Sequence, residues 1–254
     1  MANFMINTKA EFLKSRHTLA YRAAFIAGIV LPVLHMLGYI LKPEHFLQDL
    51  STRPWEMHAT YCWKFGAAFF PMYVTILTSL VVQTEFRNNT WKMVYTQPRS
   101  YIDIYFSKFV VIQLLLLGSI LLFNVSLIVT GSIANIFRPE FAFFKQPVPV
   151  GDMLMVTARM YIASLCITAI QYWFSLRFRN FITSLGIGIG LTIVALILLP
   201  WDGVVYFPYA YPILTYFKAL KVNGIATHEW YSLIGTAAAL LLGFWNIVTR
   251  KERG

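Results

Sequence analysis

Residues 109–134 read FVVIQLLLLGSILLFNVSLIVTGSIA, twenty-six positions without a single Asp, Glu, Lys or Arg. As one helix this run reaches about 39 Å, longer than the roughly 30 Å hydrocarbon core of a bilayer. It therefore predicts a membrane-crossing helix that tilts or projects into the headgroups. Five further apolar runs lie at 23–41, 65–82, 155–176, 181–200 and 230–248, and of these only 155–176 contains a charged residue, Arg159. Placed near the start of its run, Arg159 is expected to snorkel to the interface. The fold class that follows is an all-α integral membrane protein with six transmembrane helices, forming a single membrane domain over residues 1–254.

Composition agrees. Of 254 residues 58% are hydrophobic and 13% charged, about half the charge that a soluble domain carries. The net charge of +10 sits at the ends of the apolar runs, so it reads as membrane topology and not as a nucleic-acid surface. Thirteen of the twenty-one Lys and Arg flank the side shared by both termini and eight flank the other. The positive-inside rule then places the N- and C-termini in the cytoplasm. The first apolar run is longer than the core of a cleavable signal peptide and is expected to remain as a span. Residues 203–217 are apolar and aromatic but short, and Pro208 and Pro212 interrupt them. That pattern suits a re-entrant or interfacial segment.

Ahead of the first span, Phe4, Glu11, Phe12, Lys14, Arg16 and Leu19 lie in a stretch whose aromatic and apolar positions recur at seven or eight residues. This is either an interfacial helix along the membrane surface or a plain basic flank. Between the second and third spans comes QTEFRNNTWKMVYTQPRS, residues 83–100. Its mixture of charges and large apolar residues, closed by Pro98, predicts a short helix from about Phe86 to Thr96, either a docking element for a soluble partner or an ordinary amphipathic loop.

Gly186, Gly188 and Gly190 contain a GxxxG pattern that favours close helix packing. Gln113, Asn124 and Gln171 lie in spans and need interhelical partners or line a cargo path. Cys62 and Cys166 form no CxxC and read as membrane-facing thiols. Glu44, His45, Asp49, Glu56 and His58 read as a solvated loop. The five histidines share no metal-ligand spacing, and neither a metal nor a haem is indicated.

Glu85, then Asn89-Thr90-Trp91-Lys92, Pro98 and Ser107-Lys108 at the start of the third span resemble the permeases of ABC-2 type transporters. The branch most resembled is that of the lantibiotic-immunity permeases, whose usual opening is similar to Glu11-Phe12-Leu13-Lys14-Ser15-Arg16 ahead of Pro32. One departure is that Arg99 follows Pro98 directly, where the family often places its basic residue a few positions later. The resemblance implies a bacterial plasma-membrane permease that pairs with a second permease subunit, as a homo- or heterodimer, and docks on two copies of a cytoplasmic ATPase. It implies that Glu85, Phe86, Arg87, Asn88, Asn89, Thr90, Trp91, Lys92 and Pro98 form the coupling helix, and that the 203–217 region caps the pathway outside. No GxxxxGK[ST] phosphate-binding motif occurs in the chain, so ATP and Mg belong to the partner subunit and this chain binds no cofactor itself. The expected function is export of an amphipathic or hydrophobic cargo, such as an antimicrobial peptide or a lipid-like compound, without catalysis by this chain. The competing readings are an intramembrane protease or acyltransferase, which needs converging ionisable residues that these spans lack, and a non-catalytic scaffold or channel subunit, which would show a polar ring or filter.

Overall fold

The structure, a computed structural model, describes residues 2–50, 52–87, 100–178, 180–217 and 224–251. These residues are helical throughout their ordered elements, with no strand among them. A short helix α1 (Ala2–Ser15) precedes α2 (Leu19–Leu41); α3 (Leu47–Leu50) leads into α4 (Pro54–Arg87); then come α5 (Tyr101–Phe137), α6 (Val150–Arg177), α7 (Phe181–Ile197), α8 (Tyr211–Phe217) and α9 (Thr227–Lys251). Five of these helices, α2, α4, α5, α6 and α9, are long and apolar enough to cross a bilayer. The shorter α7 has seventeen residues, about 25 Å, and ends before the proline at 200.

Local chemistry sets the boundaries. Ser100 caps α5 by accepting the Asp103 backbone N–H at 3.1 Å, and Asn180 caps α7 by accepting that of Ile182 at 2.9 Å, which removes orphan donors from each first turn. At the other end of α5, Arg138 is followed by Pro139, which cannot continue the hydrogen-bond ladder. Helices α4 and α5 exceed the apolar runs 65–82 and 109–134 at both ends, so the third span does project, as its length requires.

In the apolar windows of α4, α5 and α6, 56%, 61% and 50% of positions are buried, against 22% for α2 and 17% for α9. The first three form the centre of the bundle, and α2 and α9 turn most of their surface outward. With lipid as solvent that outward surface remains apolar, including Phe25, Ile26, Leu241 and Trp245. The chain is a multi-pass membrane protein.

At the end of the bundle away from the termini a second, small core forms from Tyr39, Leu50, Trp55, Ala134, Phe141 and Phe143. Trp55 donates its indole N–H to the Phe143 carbonyl at 2.9 Å, and Gly131 supplies the room: a Cβ there would stand 2.7 Å from the Trp55 ring. His58 lies in this cap, 1% exposed, and does not belong to a solvated loop. Helix α4 begins eleven residues before the apolar run, and its first two turns are covered by the 138–149 connection. Both thiols also differ from expectation. Cys62 and Cys166 are buried inside the bundle, and neither faces lipid.

The segment between α7 and α9 enters and leaves from this same end. Asp202–Tyr206 and Pro208–Ala210 are 3-10 turns followed by α8. Tyr206 stacks on Tyr231 at 5.5 Å between ring centres, and Tyr216 donates to the Thr60 carbonyl at 3.0 Å. Between these two anchors the chain dips inward, and Tyr209, Ala210, Ile213 and Leu214 are buried, as is Val204 just before the first anchor.

Candidate functional site

At the end carrying the termini, α1 docks on the start of α5 through an unusual face. Asn7 and Ser15 are buried against the protein, while Met5, Ile6 and Leu13 are exposed. The inward face thus carries Asn7, Glu11 and Ser15 beside Phe12, and the outward face mixes Met5, Ile6 and Leu13 with Lys9 and Lys14. At the centre of the inward face is Glu11, whose carboxylate accepts from Lys108 Nζ at 2.8 Å and from Lys14 Nζ at 2.6 Å. The Lys108 side chain is 3% exposed. Burial by itself raises the Glu11 carboxyl, but the charges and hydrogen bonds of Lys108 and Lys14 outweigh it and hold the group below its ordinary value. Thr84 and Val81 of α4 line the same small pocket as Glu11 and Lys108, so α1, α4 and α5 meet around one ion pair. The sequence singled out Glu11 and Lys108 separately; the fold brings them together across 97 positions.

The stretch from Phe4 to Leu19, read as an interfacial helix or a basic flank, is not one helix. Helix α1 ends at Ser15, Arg16 lies in the turn that follows, and Leu19 already opens α2. Phe12 packs on the core and Phe4 is half-buried. Of the expected coupling residues, Glu85, Phe86 and Arg87 continue α4 to its end and do not open a separate helix. Phe86 packs against the core. Asn88, Asn89, Thr90, Trp91, Lys92 and Pro98 lie outside the described residues.

Deeper in the bundle, Gln171 is the hub of a polar cluster joining four elements. Its amide nitrogen donates to Ser79 Oγ of α4 at 3.0 Å, and to the carbonyl and Oγ of Ser184 of α7 at 3.0 and 3.1 Å. Its amide oxygen accepts from Tyr209 at 3.1 Å, so the inward-dipping segment reaches a residue about 18 Å along α6 from Arg159. Ser175 completes the cluster, 2.8 Å from Ser184 Oγ and 3.3 Å from Ser79 Oγ. Such an approach needs Gly188, where a Cβ would stand 2.3 Å from Thr75 and 2.5 Å from the Gln171 oxygen. Gly186 and Gly190 have open space around them. The close contact is thus made by the middle glycine, not by the GxxxG pair.

Gln113 and Asn124 are also buried. Asn124 donates to Thr157 Oγ1 of α6, whereas neither Gln113 amide atom has a hydrogen-bond partner among the described residues. The three polar residues picked out as a cargo path therefore differ: Gln171 is saturated, Asn124 half-satisfied and Gln113 unsatisfied within the protein.

Arg159 does not snorkel. It is buried and forms a two-pronged ion pair with Glu229 of α9, Nε to Oε1 at 2.9 Å and a guanidinium nitrogen to Oε2 at 3.1 Å. Glu229 is 1% exposed and also accepts the Ala226 backbone N–H at 2.7 Å. Sequence reasoning missed this pair, although an arginine inside a span calls for a carboxylate and Glu229 stands immediately before the last apolar run. Among the described residues no three His, Cys, Asp or Glu side chains gather as a metal site.

Residues 8–195 match the family described as ABC-2 family transporter protein. No curated protein and no solved structure matches the chain. The matched region runs from α1, with Glu11, through the third-span Lys108 and Gln171 to nearly the end of α7, and covers well over half of the chain. This multi-pass helical bundle belongs to the ABC-2 family of transporter membrane proteins.

Proposed function

We propose that the chain is the membrane-spanning permease subunit of an ATP-driven exporter, moving an amphipathic or hydrophobic cargo such as an antimicrobial peptide or a lipid-like compound. Proteins of this family work with a cytoplasmic ATPase. In this reading two ATPase copies dock on a pair of permeases, homo- or heterodimeric, and supply the ATP and Mg chemistry that this chain lacks. The end carrying the termini is cytoplasmic, in a bacterial plasma membrane, and the lantibiotic-immunity branch is the one most resembled.

The observation that carries the proposal is the Glu11–Lys108 pair. The 88–99 connection leaves from the last turn of α4 and returns to α5 seven residues before Lys108. Thr84 and Lys108 share one pocket with Glu11. A push on that connection is therefore felt at once by α1, α4 and α5, and α4 and α5 belong to the buried centre of the bundle. Outward-facing Met5, Ile6 and Leu13 support α1 lying on the membrane, where it can bear such a load. The absence of ionisable clusters in the middle of the spans favours a greasy cargo over an ion. Coupling works as a two-state bias: closure of the ATPase pair favours one arrangement of the spans and release favours the other.

The test is co-purification of the chain with its ATPase from the native host, followed by Glu85→Ala and Trp91→Ala. The expected result is that the complex weakens or that ATP hydrolysis no longer drives transport. Full docking and full transport in both variants would refute the coupling role.

A further inference from the structure

Halfway through the bundle, α2, α4 and α5 diverge enough to leave a groove of about 260 Å³. The middle positions of these helices are Val30, Phe70 with Pro71, and Ser119, and the groove is lined at those levels. On α5 the lining residues Ser119, Ile120 and Phe123 lie at the centre of the apolar run 109–134, and on α4 they run from Trp63 to Tyr73, so the groove lies within the hydrocarbon layer, between its middle and the end away from the termini. Missing side-chain volume creates it. Ala27 on α2 and Gly66 on α4 face the space, while just below it Gly28 brings α2 against α5, where a Cβ would stand 2.9 Å from the Ser119 carbonyl.

The walls are Trp63, Phe70 and Phe123, with the Trp63 and Phe123 rings edge-to-face at 4.7 Å. Two hydroxyls border the groove and both are paired: Tyr73 donates to Ser119 Oγ at 2.7 Å, and Ser119 donates to the Leu116 carbonyl at 2.7 Å; the indole N–H of Trp63 has no hydrogen-bond partner among the described residues. No charged residue lines it. The rim opens outward, with Phe69 56% and Val30 42% exposed.

From these observations we infer that the groove binds one acyl chain of a bilayer phospholipid as a resident ligand. At this depth the surrounding solvent is hydrocarbon. An apolar recess left open would forfeit dispersion contacts along its whole lining, and an apolar cavity disfavours water. The lining holds no ionic group that would select a headgroup. Recognition is therefore of the chain and is indifferent to the headgroup. The inference needs only the membrane-spanning fold and stands apart from the exporter reading.

Trp63 provides the probe, since it forms a wall of the groove and is itself 4% exposed. Two single-tryptophan forms of the full chain, retaining Trp63 or the outward-facing Trp245, are reconstituted in phosphatidylcholine vesicles brominated toward the end of the acyl chain. The expected result is strong bromine quenching of Trp63 and weaker quenching of Trp245, which lies near the end of its span, both unchanged when phosphatidylglycerol brominated at the same position replaces phosphatidylcholine. Gly66→Leu, which fills the groove, is expected to abolish most of the quenching of Trp63 while leaving that of Trp245 intact. Ala27→Leu serves as a second filling variant where Gly66→Leu fails to fold. Quenching of Trp63 that is absent, as when a second copy of the chain or a cargo molecule covers the groove, would overturn the inference. So would quenching that survives filling, or that appears with only one headgroup.

Discussion

Two buried polar regions of this bundle are built on opposite plans. In the cap at the end away from the termini, each hydrogen bond dictates the next. Thr130 donates to the Ser126 carbonyl at 2.7 Å, so its oxygen accepts from His58 Nε2 at 3.1 Å, and His58 Nδ1 must accept from Tyr39 at 2.9 Å. One arrangement satisfies the set, and packed aromatic rings hold it. Around Gln171, Ser79, Ser175 and Ser184 place three hydroxyls within 3.4 Å of one another. Each hydroxyl can rotate to give or accept. The Gln171 amide reaches two of these serines, so several pairings are nearly equivalent. The difference teaches that a membrane bundle can bury polar groups for stiffness or for adjustability. A directional chain resists displacement, whereas a cluster of small rotors has several pairings open to it.

The largest effect that sharpens this contrast is expected from Glu229→Ala at the stiff end. It removes the carboxylate that two guanidinium nitrogens of the buried Arg159 bond and costs about 3–5 kcal/mol, read as a fall in thermal stability in lipid or detergent. The double replacement Arg159→Met with Glu229→Leu should recover most of that loss, because it removes both charges together. If the double variant is as unstable as the single, the pair does more than hold α6 to α9.

Next in size is His58→Leu, which orphans the Tyr39 hydroxyl inside the cap and should cost about 1–3 kcal/mol. Ser175→Ala in the Gln171 cluster should cost less, about 1 kcal/mol or below, because Ser79, Ser184 and Gln171 can re-pair. Equal losses at the two sites, measured in the same unfolding assay, would erase the distinction between a directional and an adjustable network.

The smallest effect concerns α1. Because Lys108 and Lys14 hold the folded Glu11 carboxyl below its ordinary value despite burial, the pair adds stability above the unfolded carboxylate range, near pH 4–5. That contribution disappears as pH falls through the lower folded value. Acidification should therefore release α1 before the bundle unfolds, seen as faster hydrogen exchange across residues 4–15. Glu11→Gln should show that release at neutral pH and lose the pH dependence.

The five long membrane-length helices were legible in the sequence because long uncharged apolar runs have one physical explanation in a chain so poor in charge. The dip at 203–217 was legible through Pro208 and Pro212, which deny it a continuous helix. The polar regions were not. His58 follows Glu56 and precedes Lys64, so its surroundings read as a solvated loop until the 138–149 connection closes over them. The Gln171 hub was visible only as one glutamine in a span, since nothing distinguishes Ser79, Ser175 and Ser184 from serines that satisfy their own helix backbone. Glu11 and Lys108 both stood out through family resemblance, but their pairing depends on how α1 folds back. Arg159 was misjudged because a snorkelling arginine and a paired one look alike until the partner is found.

The most direct test is a pair of spin-label distances in the transporter assembled with its ATPase. One pair, Ile102→Cys with Ile182→Cys, relates α5 to α7 beside the Gln171 cluster; the other, Leu41→Cys with Phe144→Cys, spans the cap. All four native side chains are exposed, so labels are tolerated. Addition of ATP with vanadate should shift the first distance and leave the second unchanged. A cap distance that moves while the α5–α7 distance stays fixed, or no ATP-dependent change in either, would contradict a two-state coupling that moves the adjustable Gln171 cluster and spares the directional cap.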